Sequence, residues 1–305
     1  MDITIGITSF NRFYYLSSLL DSLSVCLPED VKCKIVIADN SSKEPALLNL
    51  INNPGPYQEK LRPHKLEIVS CQPEHWTEAE YLARNAILDH AEGKYLMFLQ
   101  DDLQCVAKGL FLKDHMTLLD DSNCSIILLT AVRKCTIARK LHNPIRHDFT
   151  ESSVWETFHP NFPTMGFALR EIYQKTGKYR TPRRIWGQNG ELDYSSRVQK
   201  TFPNKHNFMS HIPPFVGVWN DPRGHYSFIR NGIRYGHYLP AKSEDNLYYK
   251  ILDSEQITAL NKHSSPAGFS DVAFPIGWDF AKDKNGDQLK YPQPQIQQEG
   301  PMQII

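Results

Sequence analysis

The sequence has no excess of charge of either sign, since its 305 residues include 34 Lys plus Arg and 34 Asp plus Glu. Proteins that bind nucleic acid broadly carry a basic footprint, so we expect no nucleic acid among the partners of this chain. An apolar fraction of 41% is ordinary for a globular protein. The length is sufficient for one large α/β domain or for a domain with an appended lobe.

Long apolar runs are also missing, because no stretch reaches the roughly 20 residues that a membrane-spanning helix needs. The N-terminal residues 1–5 are typical of a strand and lack the basic region of a signal peptide. The cysteines form no C-x-x-C pair and occur only in the first half of the chain: Cys26, Cys33, Cys71, Cys105, Cys124 and Cys135. They do not resemble a disulfide framework, and we expect reduced thiols and a cytoplasmic location, with a peripheral membrane contact left open.

Apolar runs alternate with helical spacing along the first hundred residues, which predicts a mostly parallel sheet with crossover helices. The runs predicted as strands are 3–8, 34–38, 66–69 and 94–99. We expect Asn11 to cap the first helix, and Thr77 and Glu80 have the spacing of a capping box before the fourth strand.

The second half of the chain is less regular. Strands are predicted over 125–130 and 164–169, then a short helix that ends near Gly177 and a helix over 187–200. The region 133–163 is rich in His, Arg, Pro and aromatic residues and has weak periodicity. We expect it to form loops around a cleft.

Two adjacent carboxylates, Asp101 and Asp102, end the apolar run 95–99. A buried strand that ends in aspartates places negative charge at the carboxyl edge of a sheet, where open α/β sheets bind ligands. Such carboxylates can hold a hard divalent cation, which in turn holds phosphate oxygens. The alternative is a simple turn or helix cap.

Five blocks of sequence extend this interpretation: 8–12 (TSFNR), 38–42 (ADNSS), 83–86 (ARNA), 98–102 (FLQDD) and 190–193 (GELD) with Arg197. Their order and spacing over about residues 1–200 resemble the family 2 glycosyltransferases of GT-A fold. The resemblance implies a Rossmann-like α/β fold with a mostly parallel central sheet flanked by helices and an irregular C-terminal acceptor-side region. It also implies metal-dependent, inverting transfer of a sugar from a nucleotide-diphosphate donor, with UDP as the expected nucleotide, to a hydroxyl acceptor such as a glycan.

The resemblance assigns a donor site to the first blocks. Asp39 would accept a hydrogen bond from the nucleotide base, Thr8 and Phe10 would line the nucleoside pocket, and Arg84 would contact the donor near its phosphates. A carboxylate can accept from the imide N–H of uracil, which makes the role of Asp39 chemically sensible. The alternatives are an Asx-turn at Asp39 and a solvated helix arginine at Arg84.

The resemblance also assigns a metal site that uses Mn²⁺ or Mg²⁺. Gln100 stands where the family has its first acidic residue, so Asp102 would be the main metal ligand, with Asp101 on the ribose or on the water shell of the metal. A late histidine, His211 or His225, would be an additional ligand, and imidazole is acceptable to Mn²⁺. With 12 histidines in the chain, the alternative for each is a structural role.

Glu191 aligns with the catalytic base of the family, which takes the proton from the acceptor hydroxyl, and Asp193 is the alternative base. The predicted organisation is a nucleotide-sugar-binding half over 1–110, an acceptor-binding and catalytic-base half of the same domain over 111–240, and a C-terminal extension over 241–305. One competing function is a sugar nucleotidyltransferase, although residues 8–11 are not a Gly-rich phosphate loop. The other is a non-catalytic glycan- or nucleotide-binding protein on a transferase scaffold.

Overall fold

The computed structural model describes residues 1–73, 76–109, 111–121, 123–129, 145–149, 152–157, 166–180, 189–212, 214–217, 228–230, 233–235 and 251–261. The strands are β1 (Ile3–Ser9), β2 (Cys33–Asp39), β3 (Lys65–Ser70), β4 (Tyr95–Gln100), β5 (Leu103–Cys105), β6 (Cys124–Leu128), β7 (Ile145–Asp148), β8 (Ser153–Thr157), β9 (Gly166–Leu169), β10 (His206–Ser210), β11 (Phe215–Gly217), β12 (Phe228–Arg230) and β13 (Ile233–Tyr235). The helices are α1 (Phe13–Cys26), α2 (Pro45–Asn52), α3 (Gly55–Lys60), α4 (Trp76–His90), α5 (Phe111–Asp121), α6 (Arg170–Thr176), α7 (Asn189–Thr201) and α8 (Ser254–Asn261). None of these described helices has the length and apolar character needed to cross a membrane.

Among the described residues, nine strands form one mixed sheet in the order β3-β2-β1-β4-β9-β6-β10-β8-β7. The first four strands in this order are mutually parallel, as are β6 and β10, while β9 and β8 run antiparallel to their neighbours. The register brings the carboxyl ends of the central strands level, since Thr8 lies beside Ala38 on one side and Gln100 on the other. This confirms the predicted α/β class with its mostly parallel sheet.

The central strands are buried on both faces, as expected for parallel strands covered by helices on each side. Side chains of alternating strand residues point to opposite faces. One face of β1, β2 and β4 packs in a cluster with α1, and this cluster includes Ile5, Ile35, Met97 and Leu20. The other face packs in a second cluster with α4, α6 and α7. The helices thus hold the sheet from two sides and leave its carboxyl edge for the loops.

Gly6 in β1 allows α4 to lie close to the sheet. A Cβ atom at this position would clash with the side chain of Ile87 on α4. We expect Gly6→Ala to lower the free energy of unfolding by about 1–3 kcal/mol, the range for overpacking a tight core. Gly55→Ala is the control, because its added Cβ would make only an ordinary contact at 3.7 Å. Urea unfolding measures both, and equal stabilities of the two variants would contradict the close packing.

His115 on α5 is fully buried, with its Nε2 3.1 Å from the hydroxyl of Ser210, and burial lowers its pKa to about 3. In the unfolded chain the histidine pKa is about 6.5, so the unfolded chain binds the proton first as the pH falls. Stability should be lost progressively from about pH 6.5 towards pH 3, by up to about 1.4 kcal/mol per pH unit from this group. The pH dependence of the unfolding free energy gives the number of protons that the chain takes up on unfolding. Between about pH 6.5 and 5, we expect this number to be lower by nearly one in His115→Gln. An unchanged number would refute this.

Three local predictions were wrong. Asn11 is not the cap of α1: the helix begins after Arg12, and no side chain of that residue caps it. Thr77 does not precede α4, because the helix already begins at Trp76. In the region 133–163, the described residues 145–148 and 153–157 are not loops but pair as the antiparallel strands β7 and β8. The four residues of β7 are all at least partly exposed and do not alternate between buried and exposed, so they gave no strand periodicity in the sequence.

Candidate active site at the carboxyl edge of the sheet

Three loops meet at the carboxyl ends of β1, β2 and β4: residues 8–12, 39–44 and 100–102. These strands are neighbours, so their ends are adjacent. The chain proceeds from β1 to β2 and β3 on one side of β1, and then crosses to β4 on the other side. The gap between the ends of β1 and β4 is therefore a topological switch point, where open α/β sheets form their ligand crevice.

The aspartate pair lies at one side of this switch point. Asp101 is 0% exposed and Asp102 is 5% exposed. Burial raises the pKa of Asp101 to about 7, although the charge of Arg12 acts in the opposite direction. Two carboxylates in so little water need a cationic partner, and they can also provide hard oxygen ligands.

Arg12, at the other side of the switch point, is that partner. Its Nη1 lies 2.9 Å from Oδ2 of Asp102 and 3.3 Å from Oδ1 of Asp101. Burial lowers the pKa of the guanidinium, but the two carboxylates outweigh burial and leave its pKa raised. Arg12 belongs to the first sequence block, but the sequence gave it no role. Local spacing could not indicate its contact with Asp102, because the two residues are 90 positions apart.

The loop that carries Arg12 is fastened to the loop after β2. Asn11 adopts a left-handed backbone conformation with φ of 50°, which asparagine tolerates better than most residues. Its side-chain oxygen accepts hydrogen bonds from the backbone N–H groups of Lys43 at 2.7 Å and Glu44 at 3.1 Å. Glu44 in turn accepts from the N–H of Phe13 at 2.9 Å, so a carboxylate of the second loop caps α1.

Asp39 ends β2 in an Asx-turn. Its two carboxylate oxygens accept from the N–H of Ser42 at 3.0 Å and from the hydroxyl of Ser42 at 2.5 Å. Burial raises the pKa of Asp39, and the bonds from Ser42 oppose that rise. The alternative named from sequence is therefore present, but a carboxylate has about four acceptor positions. A further hydrogen bond to a nucleotide base stays a prediction.

Thr8 and Phe10 lie at the same edge. Both are half-buried, on either side of the buried Ser9. The structure thus brings together five of the predicted residues, which are Thr8, Phe10, Asp39, Asp101 and Asp102, and it adds Arg12.

Arg84 lies on α4 and is 2% exposed. Its Nη2 is 2.6 Å from Oε1 of Glu80, and its guanidinium carbon is 5.4 Å from the ring centre of Tyr179 and 5.9 Å from that of Phe98. These contacts are typical of a packed arginine with an ion pair and cation–π partners. Contact with a donor phosphate stays a prediction for this residue.

The two candidate bases lie on α7. The side chain of Glu191 is outside the described part of the structure, so its surroundings are not assigned. Asp193 accepts a hydrogen bond from Nε of Arg197 at 2.9 Å, one helical turn away, and its side chain is 37% exposed. Asp193 therefore has a local structural role as part of an i,i+4 ion pair.

His211 follows β10 and is 0% exposed. Its Nδ1 accepts a hydrogen bond from the indole N–H of Trp155 at 2.8 Å. Because an indole nitrogen only donates, the neutral imidazole carries its proton on Nε2 in this arrangement. The strand order also places β10 three positions from β4, or about 14 Å along the sheet at roughly 4.8 Å per strand.

Within the described ranges, no three His, Cys, Asp or Glu side chains gather where they could hold a metal ion. The structure therefore does not bring His211 to the aspartate pair, and its metal role stays a prediction. His225 lies outside the described residues. The donors that are present at the edge are carboxylate oxygens, a type that Mg²⁺ accepts when it takes one or two protein carboxylates and completes its shell with water and substrate phosphates. Asp101 and Asp102 fit that use.

No protein-family profile and no curated protein sequence matches this chain. Solved structures do match. The structure of GalNAc-T7 with UDP, GalNAc and Mn²⁺ superposes with a TM-score of 0.50 at 14% identity, over 71% of this chain and 43% of that one. The chain has a GT-A-like fold.

Two further solved structures are similar to this chain. The mannosyltransferase PcManGT from Pyrobaculum calidifontis, in complex with GDP-Man and Mn²⁺, gives a TM-score of 0.49 at 14% identity, over 73% of this chain and 58% of that one. TarS from S. aureus gives 0.47 at 16% identity, over 78% of this chain and 37% of that one. Across the TarS structures, this chain spans 37% to 60% of their length.

Proposed function

We propose that this protein is a glycosyltransferase that uses a nucleotide-diphosphate sugar, with UDP as the expected nucleotide. One observation carries the proposal: Asp101 and Asp102 lie at the switch point of a GT-A-like sheet, with Asp39, Thr8 and Phe10 on the neighbouring strand ends. The sequence blocks that place these residues resemble the family 2 enzymes. The GalNAc-T7 structure, which shares the fold, was solved with UDP and Mn²⁺.

Different residues of this chain would bind different parts of the donor. Thr8 and Phe10 would flank the nucleoside, and Asp39 would accept from the base. Asp102, with Asp101 behind it, would hold a divalent ion, Mn²⁺ or Mg²⁺. When bound, such an ion neutralises the charge that develops on a departing diphosphate.

The sugar would pass to a hydroxyl group of the acceptor, for which a glycan is the expected class. Glu191 would take the hydroxyl proton as the oxygen attacks the anomeric carbon from the side opposite the leaving nucleotide, which inverts the configuration. The order of donor half, acceptor half and C-terminal extension along the chain belongs to this proposal. A cytoplasmic location stays a prediction, beside the observation that the five cysteines among the described residues are buried and free.

The test is a panel of nucleotide sugars incubated with the protein and Mn²⁺, with slow hydrolysis of the donor as the readout. We expect one UDP-sugar to be cleaved faster than the rest, and its cleavage to stop with EDTA. Binding of UDP with Mn²⁺ but no turnover of any donor, alone or with oligosaccharide acceptors, would favour a non-catalytic binding protein. Formation of a nucleotide sugar from a sugar phosphate and a nucleoside triphosphate would instead identify a nucleotidyltransferase.

A further inference from the structure

Arg12 has an unusual position for a residue beside a candidate cation site. One nitrogen, Nη1, serves both carboxylates, at 3.3 Å from Asp101 and 2.9 Å from Asp102. It therefore stands where a cation shared by the two aspartates would stand. A divalent ion that binds both side chains has to displace the guanidinium or share the carboxylates with it.

The pairing leaves part of the guanidinium unused. A well-matched arginine–carboxylate pair uses two parallel N–H donors, whereas here a single nitrogen contacts both partners. Nε of Arg12 is buried and has no hydrogen-bond acceptor among the described residues. The guanidinium thus keeps donors for an additional oxyanion, and a planar fork of this type suits phosphate oxygens.

The backbone at Arg12 is fixed by contacts between two loops, whereas its side chain is held by the two aspartates. Asn11 and the capping contact of Glu44 to Phe13 tie this loop to the next one. The side chain itself retains 17% exposure at the crevice. A rearrangement of Arg12 therefore needs rotation about side-chain bonds and the exchange of its two carboxylate contacts, with no movement of the backbone.

From these observations we infer that Arg12 is the resident counter-ion of the aspartate pair and competes with the divalent ion for it. In the protein without ligand, Arg12 neutralises part of the charge of Asp101 and Asp102 and keeps the affinity for free metal low. When a nucleotide diphosphate enters with its metal, the guanidinium turns from the carboxylates to a phosphate oxygen. The first half of this inference concerns the protein alone, and the second half rests on the proposed function.

The experiment compares Arg12→Gln with the unaltered protein in two titrations. With Mn²⁺ alone, followed by the electron paramagnetic resonance signal of the free ion, we expect Arg12→Gln to bind at least about tenfold more tightly, because the cation that competes for the two carboxylates is removed. With UDP at saturating Mn²⁺, we expect Arg12→Gln to bind about tenfold more weakly, since a phosphate contact is lost. Arg62→Gln is the control, because Arg62 is exposed and paired only locally with Glu59 in the contacts described.

The outcomes separate the two ideas. The counter-ion role is overturned if folded Arg12→Gln binds Mn²⁺ no more tightly than the unaltered protein. It is also overturned if this variant does not bind Mn²⁺ at all. A gain in Mn²⁺ affinity with no UDP binding by either protein keeps the counter-ion role and refutes the proposed function. A gain in Mn²⁺ affinity with unchanged UDP affinity refutes the transfer of Arg12 to the phosphate.

A measurement on the unaltered protein covers the case in which Arg12→Gln does not fold. The buried Nε–H of Arg12 should give a distinct signal in the nitrogen-15 spectrum of the full chain. Titration with Mg²⁺ alone should move this signal only at high concentration, whereas Mg²⁺ with UDP should move it at low concentration. A signal that stays fixed under both conditions, while UDP binds, would show that Arg12 does not exchange.

Discussion

Replacing Asp102 by asparagine should abolish the Mn²⁺-dependent binding of UDP, with a loss of affinity of about 10²-fold or more, since even residues around metal ligands cost about 10- to 100-fold when they are altered. Asp102 is 5% exposed, whereas the neighbouring Asp101 is fully buried. The change to asparagine keeps the size of the side chain and removes only the negative charge that a divalent ion requires. Calorimetry with UDP, with Mn²⁺ or with EDTA, measures the effect.

The matched control is Asp89→Asn. Asp89 is an exposed aspartate, 2.6 Å from Lys178 at a surface ion pair, and it should leave UDP binding unchanged. Thermal unfolding of both variants checks that the fold is kept. Equal UDP affinity with Mn²⁺ and with EDTA in the unaltered protein would remove the metal from the donor site.

Asp102→Asn and Arg12→Gln should change the affinity for Mn²⁺ alone in opposite directions. Asp102→Asn should weaken the binding of Mn²⁺ alone, because it removes a ligand. Arg12→Gln should strengthen it, because it removes a competitor. A common structural disturbance of the site would move both in the same direction, so the two variants together distinguish a specific exchange from general damage.

The strands that build the site could be predicted because their signal is local. Each of β1, β2 and β4 is a strand of six or seven residues, mostly apolar and almost entirely buried, and such segments are recognisable without knowledge of their partners. The polar residues that follow each run are then placed at one edge by the parallel topology. The topology places Asp39, Asp101 and Asp102 at one edge, and the resemblance to the family 2 enzymes is what assigned them to one site.

The contacts that fasten the site could not be predicted in the same way. Glu44 caps α1 from 31 residues away, and Arg12 meets Asp102 across 90 residues. Rules for helix caps and ion pairs compare residues only a few positions apart. Asn11 was assigned to the cap by such a rule, whereas its side chain bridges two loops instead.

The resemblance aligns Glu191 with the catalytic base of the family and leaves Asp193 as the alternative. Asp193 lies close to Glu191 in sequence, and chemistry alone allows either carboxylate to act as a base. The structure shows Asp193 in a salt bridge with Arg197 on the same helix. Residues two apart do not share a helix face, so the same proton is not available to both.

Glu191→Gln should therefore retain donor binding and lose sugar transfer by about 10²-fold or more, the usual effect of removing a general base. The glutamine is nearly isosteric and cannot accept the proton of the acceptor hydroxyl. Asp193→Asn is the matched control on the same helix. We expect it to change transfer by less than about fivefold, because it removes only a partly exposed i,i+4 ion pair worth about 0.3–0.5 kcal/mol.

The measurement is transfer from the donor that the panel identifies, together with UDP affinity for each variant. The donor-site residues lie at the ends of strands β1, β2 and β4, whereas the candidate bases lie on α7. If Glu191→Gln loses transfer but keeps its UDP affinity, the defect is therefore in the proton transfer and not in donor binding. If Asp193→Asn is inactive and Glu191→Gln is active, the base is two residues further along α7. Arg197 would then hold the catalytic carboxylate, and Arg197→Gln should shift the pH profile of transfer, which a purely structural ion pair would leave in place.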